Sequence, residues 1–132
     1  RTLACLFDRS CGWVYCGDLV VSPTVTAVLR YENPYQHVAS LRRIAELHPE
    51  RLLTGHAMDV KKPAGMLKRK AERNEEAAGR ARDLDRQGWP TGRIVEELFP
   101  GQRSRDRFHS WLTSGEFSQA NFVRACVDKA PV

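Results

Sequence analysis

Two residues in this 132-residue chain pair reactive chemistry with a suggestive local setting. Asp18 follows Gly17 within Gly12-Trp-Val-Tyr-Cys-Gly-Asp-Leu-Val-Val21, and His56 follows Gly55 at the end of Arg51-Leu-Leu-Thr-Gly-His56. Each comes directly after a short strand-like run and a glycine, where the backbone can turn or approach another group closely. A carboxylate left among Trp13, Val14, Leu19 and Val20 needs a partner, a proton or a metal. The plainer role for Asp18 is to cap a backbone amide in a strand-end turn. Together the two side chains offer a carboxylate oxygen and an imidazole nitrogen, donors that suit Zn²⁺, Mn²⁺ or Fe²⁺. Two ligands do not complete a site, because a catalytic zinc takes at least three protein groups and keeps one position open.

The elements that must carry this pair can be read from periodicity. Thr2 to Phe7 is a short apolar run, Asp8 to Gly12 has turn chemistry, and Trp13 to Cys16 is a second run rich in aromatic and β-branched residues. They predict a β-hairpin whose loop carries Gly12. On an extended strand, Cys16 and Asp18 would share a face. Val25 to Tyr31 is ambiguous, and Glu32-Asn33-Pro34 breaks the pattern. From Tyr35 the period lengthens: Tyr35, Val38, Leu41, Ile44 (or Ala45) and Leu47 form the stripe of a helix of about 13 residues. His48-Pro49 ends it. Arg51 to Thr54 is a brief strand that delivers Gly55-His56, and Lys61 to Gly65 reads as a linker.

The remainder is helical by composition. Met66 to Gln87 is rich in Ala, Glu, Lys and Arg, with an inner stripe of Leu67, Ala71, Asn74, Ala78, Ala81 and Leu84. Gly88 and Pro90 stop it. Thr91 is a good N-cap for Gly92 to Phe99. Ser104 can start a helix through Trp111 and Leu112 that Gly115 closes, and Ser118 caps a last helix bearing Phe122, Val123 and Cys126. Trp89, Phe108, Trp111, Phe117 and Phe122 are the expected core of this tail.

Composition sets outer bounds. Hydrophobic residues at 42% and charged residues at 28% are ordinary for a globular domain. No segment has the form of a signal peptide, and no apolar run approaches the roughly 18 residues of a membrane span. The chain begins at Arg1 in what reads as the middle of a sheet, so it is expected to be a soluble, cytoplasmic piece whose upstream portion is absent. Cys5, Cys11, Cys16 and Cys126 show no C-x-x-C spacing and are expected to be buried free thiols. The net charge of +5 permits contact with nucleic acid without arguing for it, since acidic residues are interspersed.

Gly12-Trp-Val-Tyr-Cys-Gly17-Asp18, then Ser40-Leu41-Arg42-Arg43 on a helix, then Leu52-Leu53-Thr54-Gly55-His56 resembles the second half of the metallo-β-lactamase-fold hydrolases. In that family a hairpin strand ends in a Gly-Asp whose Asp bridges two metals. A helix with a Ser-Leu-Arg-like segment follows, and a Pro-Gly-His or similar turn then completes the second metal site. The resemblance implies an α+β fold, with residues 1–62 forming the C-terminal part of an αβ/βα sandwich. Residues 63–132 would be a small all-helical, helix-turn-helix-like extension, similar to that of the thioesterase-like and endoribonuclease-like branch. It implies a dinuclear zinc hydrolase, with manganese or iron as alternatives, that cleaves an ester, thioester, amide or phosphodiester of a small-molecule substrate. Asp18 would bridge the metals and orient the attacking water, and His56 would ligate the second metal.

The family's H-x-H-x-D-H cluster and its next histidine have no counterpart in these 132 residues. Cys16 stands where Ser or Thr is common, and Ala57 where Gly is common. This chain by itself is therefore expected to be inactive, to hold no metal and to need a missing N-terminal half. Without that half, strand Thr2–Phe7 would be an open edge, and Leu3, Leu6, Val14 and Leu19 would lose their packing, so homo-oligomers are expected.

The other candidates have plain roles. His37 belongs to a packing helix, His48 to a helix end where positive charge suits the dipole, and His109 to a helix face beside Phe108 and Trp111. Cys16 is expected to be an inert buried thiol. A different function class, a helical interaction or nucleic-acid-binding module without catalysis, would use Arg93, Arg103, Arg105, Arg107 and Arg124 in the last three helices. Against it, Glu116 occupies the turn and no helix has a wholly basic face. Neither nucleic acid nor a membrane is an expected partner.

Overall fold

A computed structural model describes residues 4–24, 26–101 and 114–129. The chain adopts the mixed α+β class expected from its sequence. Among the described residues there are four α-helices and six short strands, and the strands form two separate sheets. Two compact units part the chain: Arg1–Val25 with His37–Glu72, and Thr26–Gln36 with Arg73–Val132. Segment 26–36 groups with the tail in the second unit.

In the first unit, β1 (Leu6–Asp8) and β2 (Trp13–Tyr15) pair antiparallel, with Leu6 opposite Tyr15 and Asp8 opposite Trp13. The hairpin is the predicted one, although its first strand begins at Leu6 and includes Asp8. Thr2 and Leu3 lie outside the described residues. Gly12 adopts φ +72, which favours glycine, and the turn closes through its N–H on the Asp8 carbonyl at 2.9 Å. Strand β4 (Arg51–Leu53) lies parallel to β2, and β5 (Asp59–Lys61) returns antiparallel, giving the order β1-β2-β4-β5. Strand β5 replaces the front of the expected linker, because Val60 packs on the core and its neighbours face outward.

Alternation decides which face of this sheet is covered. Val14 and Leu52 are buried with Leu41, Ala45, Leu67 and Ala71 in one apolar cluster. These residues come from one face of the sheet, from α1 (Pro34–Glu46) and from the first turns of α2 (Ala64–Arg86). Leu67 and Ala71 lie in that cluster, which is why the unit includes the start of α2. Val14 and Leu19 keep their packing, contrary to expectation, whereas Leu6 on the edge strand is 67% exposed. Leu47, placed in the helical stripe by period alone, falls after the last turn of α1 and is exposed. His48 there takes φ +47 and ends the helix.

In the second unit the whole predicted α2 stripe from this point on, Asn74, Ala78, Ala81 and Leu84, is buried. The Asn74 amide oxygen accepts from the Thr26 hydroxyl at 3.0 Å, so the one polar member of the stripe is satisfied. The helix ends as its glycine requires: Gly88 has φ +81, and the Trp89 and Gly88 amides donate to the carbonyls of Leu84 and Asp85. Helix α3 spans Thr91–Leu98, with Pro90 rather than Thr91 at its N-cap and no side-chain cap bond. Strands β3 (Val28–Leu29) and β6 (Phe117–Ser118) pair antiparallel. The tail is thus not all-helical, and residues this few carry no readable period. The expected helix from Ser104 through Phe108, His109, Trp111 and Leu112 lies outside the described residues. Helix α4 (Gln119–Asp128) buries Phe122, Val123 and Cys126 as predicted, and Phe122 meets Phe99 edge-on at 6.1 Å. No helix among the described residues is long and apolar enough to cross a membrane.

Among the described residues Ser118 is the best-defined helix cap. Its hydroxyl accepts the Asn121 N–H at 3.1 Å, and the Asn121 side chain donates to the carbonyls of Gly115 and Glu116. Ser118→Ala should cost about 1 kcal/mol in urea denaturation, and Ser118→Asp should retain most of it. Equal stability of Ser118→Ala and the parent would remove the cap from the account.

Candidate active site

The two turns that bear Asp18 and His56 leave the same end of two neighbouring parallel strands. Tyr15 is the register partner of Leu53, so β2 and β4 stop together. Beyond the strands the ladder continues for two more bonds. The Cys16 N–H donates to the Leu53 carbonyl at 3.0 Å, and the Gly55 N–H to the Gly17 carbonyl at 2.9 Å. Gly17 takes φ +49 and opens a short 3-10 turn, Gly17–Leu19, that turns Asp18 away from the strand direction. The structure therefore brings the two predicted residues together: His56 Nε2 stands 3.5 Å from Asp18 Oδ1.

That distance is informative. It is longer than a good N–H···O hydrogen bond, which falls at about 2.7–3.2 Å. Two donor atoms bound about 2.1 Å from one tetrahedral zinc lie about 3.4 Å apart by geometry. The donor set and its spacing fit two ligands of one divalent metal and equally a plain carboxylate–imidazolium ion pair. Both side chains are open to solvent, Asp18 at 67% and His56 at 47%. The apolar setting expected for Asp18 is not what surrounds it, because the 3-10 turn sends the carboxylate outward while Leu19 and Val20 turn in. Among the described residues no group of three His, Cys, Asp or Glu side chains gathers at a metal-binding spacing.

Neighbouring groups are committed elsewhere. Asp59, three residues after His56, is gripped by the Arg51 guanidinium in a two-bond fork of 2.7 and 2.6 Å. That fork holds its carboxyl below the usual range, and Arg51 also lies over the Trp13 ring at 5.0 Å. Cys16 does not share a face with Asp18. It is fully buried, and burial, with lesser contributions from other groups, pushes its thiol up to about 11. Cys126 is buried likewise, its thiol raised to about 12 by desolvation, whereas Cys5 and Cys11 are exposed, against expectation. His48 is exposed beyond α1. Of the arginines offered for nucleic acid, Arg93 stacks on Trp89 at 3.7 Å, Arg124 is exposed, and Arg103, Arg105 and Arg107 lie outside the described residues.

Period and composition missed the part played by Gly55. A Cβ built there would lie 2.9 Å from Asp18 Oδ1, so this position lets the carboxylate sit where it does. A glycine before a candidate ligand was the available signal. Comparisons of the chain with protein-family models, with curated proteins and with solved structures returned no match.

Two predictions follow from local geometry. Ala57 holds φ +56, a conformation that costs an L-residue roughly 1–2 kcal/mol. Ala57→Gly should raise stability by about 0.5 kcal/mol after the larger unfolded-state entropy of glycine is subtracted. A destabilised Ala57→Gly would contradict the turn as described. His37 is lowered to about 4, first by burial and then by the nearby Lys70 charge. Below pH 6.5 the unfolded chain takes up a proton that the folded chain refuses, so stability falls from pH 6.5 toward about 4. His37→Gln should flatten that decline by at most about 1.4 kcal/mol per pH unit; an unchanged slope would exclude His37 as its source.

Proposed function

We propose that this chain is the C-terminal portion of a metal-dependent hydrolase of the metallo-β-lactamase fold. The observation that carries the proposal is the juxtaposition of Asp18 and His56 at 3.5 Å, delivered by adjacent parallel strands. Two further features agree with it. The Ser40-Leu41-Arg42-Arg43 segment falls on α1, with Leu41 buried and both arginines exposed. Ala57 occupies a left-handed position, which accounts for a glycine preference there.

In this function Asp18 and His56 would hold the metal, with Zn²⁺ favoured and Mn²⁺ or Fe²⁺ as alternatives for an oxygen–nitrogen donor pair. The remaining ligands would come from the family's upstream cluster. When bound, the metal supplies Lewis-acid chemistry and brings the pKa of a water toward neutrality, for attack on an ester, thioester, amide or phosphodiester. Asp18 would supply the carboxylate that orients an attacking water. His56 presents Nε2 from a turn anchored at both ends to the sheet. The exposure of both side chains leaves room for a small-molecule substrate.

In the complete protein, Asp18→Ala and His56→Ala should each lower turnover by 100-fold or more, in the range of about 10²–10⁴ expected for loss of a directly acting group, with unchanged circular dichroism. Near-parental turnover in either variant would remove that residue from the site.

A further inference from the structure

We propose that Thr54 is a positioning residue for this pair, its hydroxyl holding the Gly55-His56-Ala57 turn in the shape that presents His56 to Asp18. The Thr54 hydroxyl oxygen accepts two amides, those of His56 and Met58, each at 3.2 Å. Its own N–H donates to the Met58 carbonyl at 3.1 Å. One residue thus closes the loop between β4 and β5 from both sides. The loop needs such a closure, because Ala57 inside it holds φ +56 without the freedom of a glycine. The turn is tied to Asp18 by the Gly55 N–H on the Gly17 carbonyl at 2.9 Å. With the amide of His56 fixed by Thr54 and that of Gly55 by Gly17, the backbone that carries the His56 side chain is held beside the Asp18 turn.

The consequence for turnover rests on the hydrolase function, but the positioning itself does not. Valine matches threonine in shape and removes the acceptor, leaving two amides without it; serine keeps it. The test uses the isotope-labelled full chain and follows the His56 imidazole resonances by NMR, with Asp18→Asn introduced in each background. Asp18→Asn should shift those resonances in the parent and in Thr54→Ser, and the shift should be lost in Thr54→Val. Amide exchange at His56 and Met58 should rise on the order of tenfold in Thr54→Val, with exchange in β2 and β4 unchanged. Gly55→Ala, which crowds the carboxylate and spares the hydroxyl, should abolish the Asp18 response while keeping that protection. A retained Asp18 response in Thr54→Val, or its loss in Thr54→Ser, would overturn the proposal. So would global unfolding of Thr54→Val, since the residue would then be structural. Activity is not the readout, so failure of the hydrolase function, seen as turnover retained in Asp18→Ala, stays distinguishable.

Discussion

The parallel pairing of β2 with β4 is the constraint from which the site descends. Parallel strands end on the same side, so whatever follows them in sequence emerges together even though Asp18 and His56 lie 38 positions apart. Each strand is only three residues long, too few for backbone bonds alone to fix register. Register is set by Val14 and Leu52, which are partners and both fully buried. A slip of β4 by one residue against β2 would turn Leu52 out and bring Leu53 in, leaving Val14 without its buried partner. The apolar cluster under the sheet therefore determines, at one remove, that a carboxylate and an imidazole meet at its rim.

At the rim the backbone departs from regular structure in ways that each have a cause. Gly17 takes a left-handed conformation and starts a 3-10 turn, which lifts Asp18 out of the core into solvent. Gly55 has no side chain to collide with that carboxylate. Ala57 accepts a left-handed conformation at some cost, and the Thr54 hydrogen bonds hold it there. Local strain beside a reactive pair is a frequent mark of functional sites.

Much of this was legible in the sequence, for reasons that differ by element. The α2 stripe was read correctly because six positions repeat at helical period over more than four turns, and all six are buried. Ser118 was read from cap chemistry, and the convergence of Asp18 with His56 from two Gly-containing turns after strand-like runs. Strands β3, β5 and β6 are two or three residues long and carry no period that could be detected. Asp18 was misplaced in an apolar setting because neighbours in sequence are not neighbours in space once a 3-10 turn intervenes. Cys5 and Cys11 were expected in the interior because they fall in or beside strand-like segments, but one precedes an edge strand and the other sits in a hairpin turn.

The central claim is that Asp18 and His56 form one metal-directed pair. Paramagnetic broadening by Mn²⁺ tests it most directly, because it reports weak and rapidly exchanging binding. Substoichiometric Mn²⁺ added to the labelled chain should broaden the amide resonances of Gly17, Asp18, Gly55 and His56 first and together, and Asp18→Asn should abolish the effect at His56. Broadening confined to other carboxylates, such as Asp83 or Asp128, with these four resonances untouched, would contradict the claim.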